Sequence, residues 1–256
     1  MVLKDLNLVI MCDMILEKKG EKTVIFIHGF FGNIETFRPQ GELLKEYGFS
    51  YALVTYPKTE FTLVDFVDCV AEKLMDRGIE KFSVLGTSMG GFSAQIFASR
   101  YNSKIDSLIL TNTFASTVYF RKKNKFIISI APFLPEGMIK FYLKSVVKRE
   151  YGQFTKVNKL LELVDALTKR DVLIRLKALM EFEGIEFKKN FPVAVLDSAD
   201  DVTIPDMLKE ELKLKVSPDF EYTFKEGGHF PYIFARQEFN DIILKFLNGV
   251  YNSDYS

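Results

Sequence analysis

At 256 residues the chain can bury one large core, and an α/β protein of this size fits a single domain with room for an insertion. Lys and Arg number 34 and so do Asp and Glu, which removes the footprint of a nucleic-acid binder and of a strongly charged partner and leaves small neutral or mildly charged substrates. The two cysteines, Cys12 and Cys69, do not make a disulfide framework and read as reduced, buried side chains.

Met1 to Leu16 is apolar, but Asp5 and Asp13 interrupt it and no small-residue cleavage site follows, so it does not read as a signal peptide. Leu8 to Leu16 reads instead as an early, antiparallel strand. No run reaches the ~18 apolar residues of a membrane span, so a cytoplasmic protein without stable membrane insertion is expected. Thr23 to Ile27 (TVIFI) is a continuous apolar run ending at His28 and Gly29, as a buried parallel strand should be. Ile34 to Tyr47 suits a helix. Tyr51 to Tyr56 is the next strand, stopped by Pro57, and Leu63 to Met75 is apolar at helical spacing. Lys81 to Leu85 is a strand, Met89 to Tyr101 a helix, and Ser107 to Thr111 a further strand. This alternation predicts an α/β fold whose mostly parallel central sheet is flanked by helices on both faces.

The alternation breaks between Asn112 and Asn190. Amphipathic segments follow one another there, notably Phe126 to Val147 and Val157 to Met180, with Pro132, Pro135 and Gly184 as breaks. We read residues 114–189 as a helical lid of about three or four helices inserted into a core formed by residues 1–113 and 190–256. Strands resume at Pro192 to Leu196 and Phe220 to Phe224, Glu238 to Leu247 closes the fold as an amphipathic helix, and Tyr251 to Ser256 reads as a frayed tail.

Chemistry concentrates at four loops. In VLGTSMGG, Ser88 stands between Gly86 and Gly90, after a strand and before a helix. A serine on so sharp a turn is lifted out of the sheet, and the flanking glycines let the turn close against its neighbours. A hydroxyl is a weak nucleophile at neutral pH and needs a base to take its proton and return it to the leaving group. The chain offers His28 and His229. His28 ends a strand beside a glycine loop and reads as a packed structural residue. His229, in Gly227-Gly228-His229-Phe230-Pro231, follows a strand on a flexible turn and is the candidate base.

A carboxylate must hold that imidazole in the right tautomer. Asp197, Asp200 and Asp201 cluster after PVAVL; Asp197 ends the strand too early, Asp200 is favoured, and Asp201 is the alternate acid. The N–H of Met89, at a helix N-terminus, and the N–H of Phe30, in His28-Gly29-Phe30-Phe31-Gly32, are the candidate donors to an oxyanion. No ligand-spaced Cys or His cluster indicates a metal, and no cofactor is expected.

The motifs FIHGFFG, VLGTSMGG, DSADD and GGHFPY together resemble the α/β-hydrolase superfamily over nearly all of the chain outside the lid. YALVTYP, SLILTNTF, PVAVLDSAD and GGHFPY are also similar to the maspardin branch, in which the position matching His229 is an asparagine. The resemblance implies that Ser88 attacks a carbonyl, His229 shuttles the proton, Asp200 orients His229, and Phe30 with Met89 hold the oxyanion. It implies an acyl-enzyme cleared by water. The serine also excludes the aspartate-nucleophile chemistry of related dehalogenases and epoxide hydrolases.

Three functions compete: hydrolysis of a carboxylic ester or thioester with an apolar acyl or alkyl group, acyl transfer to another acceptor through the same intermediate, and a non-catalytic binding role such as the maspardin likeness allows. Lid aromatics, among them Phe114, Tyr119, Phe120, Phe126, Phe133, Phe141 and Tyr142, suit an apolar pocket or simply pack the lid onto the sheet. The run Arg121 to Lys125 beside Phe126 to Leu134 suits contact with an anionic membrane surface, although such runs are ordinarily solvated helix faces. Oligomeric state, acyl chain length and the physiological substrate stay open.

Overall fold

TVIFI and FSVLGT are buried at every position, which is why they lack the polar alternation of a half-exposed strand: both faces of the sheet are covered. In the computed structural model, which describes residues 11–252, these runs are β2 (Thr23–Ile27) and β4 (Phe82–Thr87) of a seven-stranded sheet. The other strands are β1 (Asp13–Glu17), β3 (Ser50–Thr55), β5 (Ile105–Thr111), β6 (Val193–Ser198) and β7 (Phe220–Phe224), in the spatial order β1-β3-β2-β4-β5-β6-β7. All neighbours pair parallel except β1 with β3. The antiparallel β1 was anticipated from residue 8; its part before residue 11 lies outside the described residues.

Alternate residues of each strand feed opposite faces. Ile25, Ile27 and Val84 pack with Phe66 and Val70 of α2 (Leu63–Met75) and Phe97 of α3 (Met89–Arg100). Val24, Phe26 and Leu85 pack with Leu44 of α1 (Arg38–Glu46) and with Phe239 and Ile243 of the C-terminal helix (Arg236–Asn252). Thr62 and Asp65 close a capping box at the start of α2, fixing where that helix leaves the loop. α1 begins at Arg38, later than the expected Ile34, because a turn held by Asn33 and Thr36 comes first and Pro39 sits in the first helical turn.

Between β5 and β6 run α4 (Val118–Ile130), α5 (Glu136–Tyr151), α6 (Val157–Ala166) and α7 (Lys169–Met180). A 3-10 turn, Ala131–Phe133, and Pro135 separate the first two. After β6 comes α8 (Asp206–Val216), a helix not anticipated from the sequence; then α9 (Pro231–Phe234) precedes α10, the C-terminal helix.

Two expectations are corrected. Cys12 and Cys69 are not reduced: the residue before β1 and a residue of α2 lie with Cα atoms 6.2 Å apart and form a disulfide. The sequence distance of 57 residues had hidden the approach. Nor is Tyr251 frayed, since α10 carries it back to the sheet, where its hydroxyl bonds Ser83 at 2.8 Å and Asp106 at 3.1 Å.

The chain leaves β2 toward β3 on one side and β4 toward β5 on the other. The carboxyl ends of the neighbouring strands β2 and β4 therefore face a crevice where connections diverge, the place such sheets leave for a ligand.

Candidate functional site

Ser88 stands at that crevice, between β4 and α3, with φ 51° and ψ −119°. A non-glycine residue at positive φ is held there only when its surroundings over-determine it. Here its N–H donates to Thr111 O at 3.1 Å, and its carbonyl accepts from Gly91 N at 2.9 Å and Thr113 Oγ1 at 2.8 Å. A side chain at Gly90 would run into the carbonyl of Ile27, and one at Gly86 into the backbone of Gly90, so the glycines of the motif answer to close backbone approach.

Gly228, at φ 53°, turns the chain after β7 so that His229 comes back over the sheet. Its Nε2 lies 2.9 Å from Ser88 Oγ and its Nδ1 2.8 Å from Asp201 Oδ2. With a carboxylate at Nδ1, that nitrogen carries the proton and Nε2 accepts from the serine. Asp201 also accepts from Asn112 Nδ2 at 3.0 Å and Thr203 N at 2.8 Å. Burial alone would raise the Asp201 carboxyl, but the charge and hydrogen bond of His229, with Asn112 and Thr203, outweigh it and hold it at about 2.

The favoured acid of the sequence, Asp200, is not the residue that meets His229. β6 continues to Ser198, two residues past the expected end at Leu196, and Ala199 N still donates to Phe224 O of β7. The turn thus starts later and brings the next carboxylate inward. Asp200 instead accepts from Gly227 N at 3.2 Å and Gly228 N at 2.8 Å, bracing the loop that carries His229. Asp197 stays within β6 and pairs with Lys213 at 3.0 Å.

Met89 opens α3, so its amide belongs to a helix N-terminus, and Phe30 lies in the loop between β2 and α1; both line the same cavity as Ser88 and His229. Behind the loop, His28 is buried, with Nδ1 2.7 Å from Gly29 O and Nε2 2.9 Å from Thr55 Oγ1. Burial first, then the Arg175 charge, push it down to about 3, so it stays neutral.

Two residues escaped the sequence reading. Asn112, at φ 43° after β5, spans Asp201, Ser198 Oγ and Gly228 O with one amide. Asn tolerates the left-handed region better than most residues, so an Asn ending a strand was the available signal. Arg175 of α7 donates to Phe30 O at 2.5 Å and Gly32 O at 2.9 Å. Nothing in a lone helical arginine foretells a reach of 145 residues.

The cavity over Ser88 has a volume of about 480 Å³, within the range of small-molecule sites, and its walls are mainly apolar: Phe31, Phe92, Phe114, Ile128, Leu143 and Leu179 among them. Among the described residues no group of three or more His, Cys, Asp or Glu is arranged to hold a metal ion.

The family model for the alpha/beta hydrolase fold matches residues 22–148, spanning the Phe30 loop and the Ser88 turn. The chain has the α/β-hydrolase fold. It is 27% identical to maspardin of Danio rerio, over 91% of this chain and 76% of that protein. Among solved structures, an esterase of Thermogutta terrifontis superposes with a TM-score of 0.78 at 18% identity, covering 94% of each chain. An esterase of Exiguobacterium antarcticum gives 0.76 at 17% identity, covering 93% of this chain and 95% of its own.

Proposed function

We propose that this α/β-hydrolase is a serine hydrolase cleaving a carboxylic ester or thioester with a small to medium apolar acyl or alkyl group. The observation that carries the reading is the unbroken line Ser88 Oγ, His229 Nε2, His229 Nδ1, Asp201 Oδ2 at the floor of an apolar cavity. Ser88 Oγ attacks the carbonyl carbon while His229 Nε2 takes the hydroxyl proton. Asp201 fixes the tautomer and stabilises the imidazolium without itself taking the proton. The tetrahedral oxyanion accepts from the N–H groups of Phe30 and Met89, and the helix N-terminus at Met89 favours its charge. As the carbonyl re-forms, the alkoxide or thiolate leaves with the proton from His229, giving an acyl-Ser88 ester. Water, deprotonated by His229, then releases the acid and restores the serine.

Residues 114–189 would serve as the lid over this site, since α4, α5 and α7 all contribute to the cavity wall. The apolar lining favours an acyl or alkyl chain over a charged one.

A fluorophosphonate probe should label the protein, and Ser88→Ala should abolish labelling. p-Nitrophenyl esters of graded chain length should be hydrolysed, with a length optimum set by the cavity. Failure of well-folded protein to react with either would instead favour a binding role of the kind raised by the maspardin likeness.

A further inference from the structure

The helices α4 and α5 carry a feature that the cavity and the triad leave unused. Between residues 118 and 151 stand eight Lys or Arg and two Glu, a net charge of +6, so the rest of this neutral chain carries −6. On α4, Tyr119, Lys122, Lys123 and Phe126 fall at spacings of three and four and share one exposed face. On α5, Met138, Phe141 and Tyr142 do the same. Phe126 is 76% exposed, Phe141 75%, and Phe133 in the turn between the helices 85%. Leaving three phenylalanines in water forgoes burial, and exposed apolar side chains grouped beside basic ones are what an interfacial helix presents.

Some cations of the segment are already paired: Arg121 with Glu183, Lys140 with Glu136, Lys144 with Asp165 and Arg149 with Glu150. Lys122, Lys123 and Lys125 form no ion pair among the described residues, Lys123 lying 6.0 Å over the Tyr119 ring. The two faces meet where Tyr119, Lys123 and Tyr142 line the mouth of the apolar cavity.

We propose that the exposed face of α4, the turn at Phe133 and α5 docks this protein on a bilayer surface bearing anionic lipids. The phenylalanines enter the headgroup region and Lys122, Lys123 and Lys125 meet the lipid charges. A two-fold contact between copies of this chain through the same patch would set those lysines against each other, whereas an anionic surface complements them. No helix is long and apolar enough to cross a membrane among the described residues, so the association is peripheral. Docking also sets the cavity mouth against the lipid, a route for an apolar acyl chain that avoids water.

The test is co-sedimentation of the full chain with vesicles of phosphatidylcholine alone and of phosphatidylcholine mixed with phosphatidylglycerol. Binding is expected to the mixed vesicles, weakening as salt is raised. Replacing Lys122, Lys123 and Lys125 with Gln should lower the partition coefficient on the order of 100-fold, as about fivefold per lysine implies. Replacing Phe126, Phe133 and Phe141 with Ser should also abolish retention, although the charge is unchanged. Ser88→Ala should bind as the unaltered chain does, which separates docking from catalysis. Absence of binding to both vesicle types, or binding indifferent to both triple variants, would overturn the proposal. So would a concentration-dependent dimer lost in the Phe variant, which would assign the face to a second copy.

Discussion

At the residue scale the site turns on which of two adjacent carboxylates faces the imidazole. Asp201→Asn leaves a group that can hydrogen-bond His229 but removes the charge that fixes its tautomer, and kcat should fall by roughly 10⁴. Asp200→Asn keeps an acceptor near Gly227 and Gly228 but loses a charge-assisted bond, so stability should drop by about 1 to 2 kcal/mol while kcat changes less than ~10-fold. Ester kinetics with urea unfolding of both variants checks the pair, and the reverse ranking would return the orienting role to Asp200. The serine and histidine were legible because each sits in a motif with its own backbone requirement, glycines flanking one and preceding the other. The acid was not. Three aspartates share five residues, and choosing among them needs the length of β6 to one residue, which hydrophobic patterning does not give.

At the element scale, α7 reaches across to the loop after β2. Arg175 holds the carbonyls of Phe30 and Gly32, and its guanidinium lies 5.4 Å over the Tyr56 ring. Holding those carbonyls fixes the Phe30–Phe31 and Gly32–Asn33 peptide planes, and so braces the loop next to the plane that presents the Phe30 amide. Arg175→Met keeps the length and removes the donors, so kcat should fall roughly 100-fold, the scale of a lost oxyanion donor, with KM little changed. Arg175→Lys should recover part of it, since the ammonium keeps a charged donor while losing the planar guanidinium that is held over the Tyr56 ring. A lower melting temperature with intact kcat would reduce Arg175 to packing. α5 makes a second tie, Tyr151 hydroxyl to Thr203 Oγ1 at 2.5 Å, beside the acid loop. Such ties from the helices between β5 and β6 have no sequence signature, whereas the helices themselves are periodic. α8 escaped for a different reason: in DMLKEELKLKV the charged residues outnumber the apolar ones, which blurs the stripe.

At the scale of the whole molecule, the order of strands decides that loops after β2, β4, β6 and β7 converge at one edge; the alternating apolar runs made the mostly parallel sheet expectable, but not that order. The disulfide was not expectable, because a pairing across 57 residues depends on tertiary approach alone. The same convergence buries His28 under the loop after β2, and this has a consequence for global stability. Its Nδ1–H donates to Gly29 O while Nε2 accepts from Thr55, so the neutral ring is satisfied, and the nearby Arg175 opposes a second positive charge. In the unfolded chain the ring takes a proton below about pH 6.5; in the fold it does so only near 3. Between these values the unfolded state binds more protons, so stability is full above about pH 6.5 and declines as pH falls toward 3. The slope approaches 1.4 kcal/mol per pH unit, or about 3 kcal/mol lost between pH 6.5 and pH 4. Asp201, held at about 2, adds its own loss only below the ordinary carboxylate range, near pH 4 and under. Urea unfolding of the Ser88→Ala chain at pH 7, 5.5 and 4 should therefore show the decline well before the carboxylates titrate. His28→Gln, which cannot gain a proton, should start less stable and flatten the curve over that interval; an equal slope in both chains would remove His28 as its source.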